Sequence, residues 1–421
     1  MSAKDLASYC RSKIHPLFHE SDVKKIKIMP KYKRSDAVIS NTEKTDKKFN
    51  FKRPTASIEH GVGTLYVFPG HNYVDHYKKI YEHMGYSVEA EYPDSQDIDS
   101  TVSRTMPSDL PEYSDVIVLG YVEPLAGEND WSGNDDIEWK QINIEGSKTT
   151  FIGVKYSYWG DIIYHVISYL ASRTNRIIYA GKLGSLAEED VPNMTIATGD
   201  SSVVDGETIS WNNLFASSPI VVKGAHCSLP SVLDETHAWF DKHKNTIRFV
   251  DPEIGWAAKS CRDNDIQFSY LHLVTDNLHG DFLENLTNER DAKVLEKRMQ
   301  YVGIIKAIIW HAIIQDKTAI YPAILNAQQQ RVDRGLMRPL QRDWAACLSF
   351  SYHTQEEAWE VVRELPRREW KDQAVDPERV LSEMADTQIQ LMTALTYAGF
   401  NEVDLNDAVM EKLGAKRPDW K

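Results

Sequence analysis

The 421-residue chain has no paired cysteines, no excess of positive charge and no apolar run long enough to span a bilayer. Each absence removes a class of function. Its 4 cysteines, Cys10, Cys227, Cys261 and Cys347, lie far apart and form no C-x-x-C pair, which argues against a zinc site or a disulfide framework. They read as buried thiols of a reducing compartment. A net charge of −14 argues against broad affinity for nucleic acid or an anionic membrane. The most apolar stretch, YVGIIKAIIWHAII, is shorter than a membrane span and carries Lys306 and His311, so it reads as a buried helix. MSAKDLASYCRSKIHPLFHE lacks the apolar core of a leader, and a cytoplasmic protein is expected.

What is present falls into three regions. Residues 1–57 are polar, basic in patches (KYKRSDAVISNTEKTDKKFNFKRP), and read as an N-terminal extension, partly loop. From residue 58 to 316 short apolar strands alternate with amphipathic helices. TLYVF, DVIVLGY, FIGVKYSY, RIIYAGKLGSL, PIVVKGAH, TIRFVD and QFSYLHLVTDN are the strands, and the helices include DIIYHVISYLAS and PEIGWAAKSCRDND. Such alternation predicts an α/β domain with a central mixed sheet flanked by helices, where ligands sit beyond the carboxyl ends of the strands. Beyond Gln315–Ala319 the strands stop, and 319–421 is helical in period, an all-α domain.

Three strand ends in the α/β region carry chemistry. RIIYAGKLGSL runs into a predicted glycine-rich turn, Gly181 to Ser185; Glu253 opens a helix directly after TIRFVD; Thr275 and Asp276 close the next strand. A carboxylate stabilises a developing sugar cation, and an acid protonates a leaving base. Each also has a plain structural reading: Glu253 as a helix N-terminal charge and Asp276 as a turn residue. The order and spacing of the three segments, with NMTIATGDSSVV between them, resemble the nucleoside phosphorylase and nucleosidase superfamily over about residues 60–316. The resemblance implies cleavage of an N-glycosidic bond of a purine nucleoside or nucleotide, with Glu253 and Asp276 catalytic. Gly181, Lys182, Gly184, Ser185, His226 and Thr275 would contact substrate, and inorganic phosphate would be co-substrate if the reaction is phosphorolytic. The chain departs from the phosphorolytic pattern at Tyr179, where an arginine is usual, and at Lys182, where Ser or Thr is usual. A lysine there suits water as nucleophile, or a phosphate already on the substrate.

In the helical region QEEAWEVVRELPRREW places Glu357 and Glu360 on one helix face, and LSEMADTQIQLMTALTYAGF places Glu383 and Asp386 on the next. The second helix is apolar nearly all round, so burial of its acidic stripe calls for a cation. Four carboxylates from two helices suit Mg²⁺. The pattern resembles the MazG-type all-α nucleoside triphosphate pyrophosphohydrolases. That resemblance implies Mg²⁺ held by Glu357, Glu360, Glu383 and Asp386, with substrate phosphates at Lys371, Lys412, Lys416 and Arg417. The fusion implies nucleotide metabolism, with nucleotide depletion in antiviral (phage) defence as one setting, a homo-oligomer, a nucleoside or nucleotide substrate, and no nucleic-acid or membrane partner. An alternative is an inactive nucleotide-sensing α/β module with the helical domain as effector or oligomerisation scaffold.

Overall fold

The computed structural model describes residues 3–279 except 217 and 219, then 291–317 and 377–398, with isolated positions at 282, 284, 354, 358 and 405. The chain divides into two compact units, Met1–Ile314 and Gln315–Lys421. The first is α/β with mixed sheets.

Its smaller sheet is built from β1 (Lys25–Met29), β2 (Val38–Ile39), β3 (Thr55–Glu59), β4 (Val62–Tyr66) and β5 (Ser87–Ala90), in the order β2-β3-β4-β1-β5. The first 57 residues are therefore not an appended extension. KIKIM forms β1, which lies inside the sheet and pairs in parallel with both β4 and β5. Its alternation explains why: Ile26 and Ile28 point into the core, while Lys25 and Lys27 point outward and pair with Glu89 and Glu91 at 2.8 and 2.6 Å.

The larger sheet has twelve strands. They are β6 (Val116–Gly120), β7 (Ser132–Gly133), β8 (Ile137–Ile144), β9 (Ser147–Val154), β10 (Arg176–Ser185), β11 (Ile196–Thr198), β12 (Ser201–Val204), β13 (Glu207–Ser210), β14 (Val222–Lys223), β15 (His226–Ser228), β16 (Phe249–Asp251) and β17 (Gln267–Asn277). The main path runs β13-β12-β15-β16-β10-β6-β9-β8-β7, with β17 against β10 and β11, and β14 against β11. β10 organises it. Its first half lies between β6 and β17, both parallel to it, and its last two residues lie between β17 and the antiparallel β16. The predicted glycine-rich turn is thus strand through Ser185, because pairing with β17 continues past a register shift at Leu183/Gly184.

The helix Ile254–Asp263 packs its buried face (Ile254, Gly255, Ala257, Ala258, Cys261) on this sheet. Gly255 permits the contact: a Cβ there would meet Val204 Cβ at 2.7 Å and Ser202 Oγ at 2.8 Å. Cys10, Cys227 and Cys261 are free and buried, and burial pushes all three thiols up, Cys227 to about 11. Cys347 lies outside the described residues.

In the second unit the helix Pro377–Ala398 departs from the expectation of burial on all sides. Among its described side chains the buried ones lie at the C-terminal end, Met392, Thr393, Ala394, Tyr397 and Ala398, while Met384 is 55% exposed. Hydropathy of the segment counts its methionines and alanines without saying which turns meet a neighbour. Among the described residues no helix is long and apolar enough to cross a membrane.

Candidate functional site

β16 ends at Asp251, and that residue sets the local chemistry. Its Oδ1 accepts from the backbone N–H of Glu253 at 2.9 Å and of Ile254 at 2.8 Å, so Asp251 caps the helix Ile254–Asp263. Glu253 makes no side-chain cap bond of its own. Asp251, not Glu253, therefore makes the cap bonds, and the Glu253 carboxyl is not tied up by them.

Two histidines flank Asp251. His226 Nε2 stands 3.1 Å from Oδ1, poorly aligned for a hydrogen bond, and its Nδ1 is 2.8 Å from Ser202 Oγ. His272 Nε2 is 3.9 Å from Oδ2. The imidazole of His272 lies over Gly181, where a Cβ would meet Nε2 at 2.7 Å, and its other side packs edge-on against Tyr179 at 4.6 Å. Gly181 is glycine to clear a buried ring, not to make a turn.

The cluster has a definite protonation pattern. Burial pushes His272 down to about 4, so it is neutral at pH 7. Burial alone would raise Asp251, but the two histidines and the Ile254 N–H hold it below the usual carboxylate range. Burial, then the charge of Asp251 and its hydrogen bond, raise Glu253 well above that range against a smaller opposing pull from Lys182. The two shifts run in opposite directions, Asp251 toward its ionised form and Glu253 toward its protonated one. Asp251 Oδ2 is buried and lacks a donor among the described residues. Tyr158 and Tyr179 lie within reach of this pair: burial and then Glu253 push both phenols up.

Asp276 reaches the same end of β10 from the other side. It pairs across from Gly184, as Val250 of β16 does, and a Cβ on Gly184 would stand 3.2 Å from Asp276 Oδ2 and from Val250. Thr275 is buried, with Oγ1 3.5 Å from Asp276 Oδ1. A third carboxyl joins it. Glu235, half-buried just beyond Val232–Asp234, is raised well above its usual range by burial and then by the charge of Asp276.

The register of β10 therefore brings Gly181, Lys182, Gly184, Glu253 and Asp276 to one strand end. Two expected contacts are not on that surface. Ser185 is fully buried and donates to Asp190 Oδ2 at 2.6 Å, while His226 is fully buried against Ser202 and Asp251. Both support the site from behind. Asp251, His272, Glu235, Tyr158 and Ser202 were missed by sequence reasoning. Asp251 had a signal, an Asp two residues before the acidic helix start; the others have none without the sheet register.

Of the expected Mg²⁺ ligands, Glu383 is half-buried and Asp386 exposed on the helix Pro377–Ala398. Glu357 and Glu360, with the expected phosphate contacts Lys371, Lys412, Lys416 and Arg417, lie outside the described residues. Among the described residues no group of three or more His, Cys, Asp or Glu is placed to hold a metal ion.

The chain matches no family model. A curated relative, oxidoreductase cns1 of Cordyceps militaris, is 25% identical, with 65% of this chain and 43% of that protein covered. The chain thus spans less than half of that relative's length. Solved structures similar to it include the 5′-methylthioadenosine/S-adenosylhomocysteine nucleosidase of Neisseria meningitidis, with 13% identity, TM-score 0.36, and coverage of 47% of this chain and 97% of that one. Another is a methylthioadenosine phosphorylase from an Antarctic soil metagenomic library, with 13% identity, TM-score 0.38, and coverage of 49% and 88%. A third is the futalosine hydrolase of Helicobacter pylori, with 11% identity, TM-score 0.37, and coverage of 48% and 97%. At these scores the likenesses assign no residue a role.

Proposed function

We propose that the α/β unit cleaves the N-glycosidic bond of a purine nucleoside or nucleotide. The observation that carries the reading is the Asp251–Glu253 pair. It is a buried carboxylate with an orphaned oxygen beside a carboxyl that burial and Asp251 push toward its protonated form, set at a strand end whose backbone is bare at Gly181 and Gly184. Glu253 binds a sugar hydroxyl, and the negative charge of Asp251 behind it stabilises the cation that develops as the C1′–N bond breaks. Asp276 and Glu235 together hold a proton, and that proton goes to the leaving base. Water adds to C1′ and loses its own proton to the emptied carboxylate. Tyr179, where an arginine would favour free phosphate, supports water over phosphorolysis.

The test is incubation of the full chain with purine nucleosides and nucleotides, with and without inorganic phosphate, and chromatography for free base. Base without added phosphate is expected. Base only with phosphate contradicts the hydrolytic assignment, and no base from any substrate contradicts glycosidic cleavage.

For the helical unit, Mg²⁺-dependent hydrolysis of a nucleoside triphosphate is a second proposal. Glu383 and Asp386 one turn apart offer hard oxygen ligands suited to Mg²⁺, which when bound would neutralise substrate phosphates. Mg²⁺-dependent pyrophosphate release that survives Glu383→Ala unchanged would remove it. Joint depletion of nucleotides during phage infection is the biological setting proposed; unchanged nucleotide pools in infected cells carrying the protein would argue against it.

A further inference from the structure

A cleft opens beside the chain that joins β1 to β3. The basic patches KYKR and FKRP supply its four cations, Lys33, Arg34, Lys52 and Arg53. Aromatic rings make its walls. Phe68 and Tyr156 stack with their centroids 4.0 Å apart, Tyr32 lies against both, and Lys33 Nζ stands 4.9 Å over the ring of Tyr66.

Three of the four cations are neutralised: Arg34 pairs with Glu43 at 2.5 Å, Lys52 with Asp136 at 2.7 Å and Lys33 with Asp36 at 3.2 Å. Arg53 has no carboxylate on its guanidinium among the described residues. It is nonetheless fixed at both ends. Its backbone N–H donates to Glu43 Oε1 at 3.2 Å, and its carbonyl accepts from Arg34 Nη1 at 2.9 Å. At the other end Nη1 donates to Asn50 O at 3.0 Å, Asn50 Oδ1 at 3.2 Å and Lys52 O at 3.0 Å. Nε and Nη2, the parallel N–H edge of the guanidinium, are left without an acceptor among the described residues. Arg248 shows what such an edge takes in this protein: its Nε and Nη2 hold the two oxygens of Asp190 at 2.9 and 2.8 Å. The charge of Arg53 is felt in the cleft. Burial raises the phenols of Tyr73, which lines it, and of Tyr77 behind, and Arg53 pulls both back.

We propose that this cleft binds the carboxylate of a small organic acid, forked on Arg53 Nε and Nη2, with the body of the acid against the aromatic walls. Charge selects a carboxylate over a phosphate. One cation of the cleft is left over, which matches a monoanion, whereas a phosphate monoester carries about −1.5 to −2 at neutral pH. The site uses none of the residues assigned to glycosidic cleavage, so the two readings stand or fall separately.

Saturation-transfer NMR of the full chain with benzoate and benzamide tests the proposal, on the wild type, Arg53→Gln and Arg53→Lys. Benzamide keeps the ring and removes the charge. Arg53→Lys keeps the charge and removes the fork, and at a half-exposed position it covers a folding failure of the glutamine variant. The wild type is expected to bind benzoate about tenfold or more tighter than benzamide, and each folded variant to weaken benzoate about tenfold. Equal binding of benzoate and benzamide overturns the proposal. So does wild-type benzoate affinity in a folded variant, or the lack of saturable benzoate binding to the wild type. Inorganic phosphate is added last as a competitor. Benzoate that stays bound at an equal concentration of phosphate supports the carboxylate, and benzoate displaced by it overturns that choice.

Discussion

Two buried aspartates flank the end of β10, and they are treated in opposite ways. Asp190 is saturated: Arg248 Nε and Nη2 donate to its two oxygens at 2.9 and 2.8 Å, and Ser185 Oγ donates at 2.6 Å. Asp251 has two histidines instead of an arginine, and its Oδ2 and both nitrogens of His272 lack well-formed hydrogen bonds among the described residues. Saturation marks a lock that ties 185–190 to the start of β16. Unsaturation in an equally buried place calls for another explanation, because buried polar groups are ordinarily paired. The proposed function supplies one: a proton on Glu253 and a charge kept behind it.

The comparison breaks most readily at the lock. Arg248→Met leaves Asp190 buried without its partner and is expected to cost about 3 kcal/mol of unfolding free energy, read by urea titration, because removing one partner of a buried pair strands the other charge. Base release per folded molecule is expected to be unchanged. Glu253→Gln sharpens the other side. The amide mimics a protonated carboxyl, so stability is expected to stay within about 1 kcal/mol and base release within about tenfold, whereas Asp251→Asn, which removes the charge behind it, is expected to lower base release by about 10²–10³-fold. A strongly destabilised Glu253→Gln protein, or a fully active Asp251→Asn one, would contradict this assignment.

Gly181→Ala pushes a methyl into the His272 ring, and an overpacked core is expected to lose about 1–3 kcal/mol, with smaller loss for Gly184→Ala, whose nearest contacts are looser at 3.2 Å. The pH dependence of unfolding is a finer probe. His272 takes up its proton near 6.5 in the unfolded chain and only near about 4 in the folded one. The unfolded state binds more protons between these values, so stability is full above 6.5 and falls as pH drops toward about 4. Asp251, also lowered, continues the fall below its ordinary 3.8. Glu253 acts in the opposite sense: its raised value favours the folded state below 4.5, and that contribution fades as pH rises. His272→Asn should flatten the decline between 6.5 and about 4 without abolishing it, since burial also lowers His15 and His76. Urea titrations at stepped pH read this, and an unchanged slope would contradict the burial of a neutral His272. The smallest effect is expected at Lys25→Ala, whose exposed pair with Glu89 is screened by solvent, so its urea midpoint should match the wild type.

The residues around the end of β10 show what the sequence made legible. Glu253 and Asp276 stand out as candidates because each follows a strand whose apolar run is plain to read, and strand ends are where α/β sheets carry ligands. Asp251 stood in the same run and was passed over, because its capping role appears only when the backbone turns into the helix. His226, His272 and Ser202 come from three separate strands and meet through sheet register, which alternation alone does not fix. The glycines of β10 were read by composition as a turn, when the rings and carboxyls above them demand bare backbone in a strand. β1 was the reverse case: KIKIM alternates correctly, and its lysines disguised a strand whose outward charges answer Glu89 and Glu91 on the next.

The central claim is that Glu253 is protonated at neutral pH beside an ionised Asp251. Infrared difference spectroscopy between wild type and Glu253→Gln at pH 7 measures it most directly. The account predicts a carboxylic-acid C=O band present in the wild type and absent from the variant. A lost carboxylate band, with no acid band in the wild type, would contradict it and return Glu253 to the role of an ordinary charged helix end.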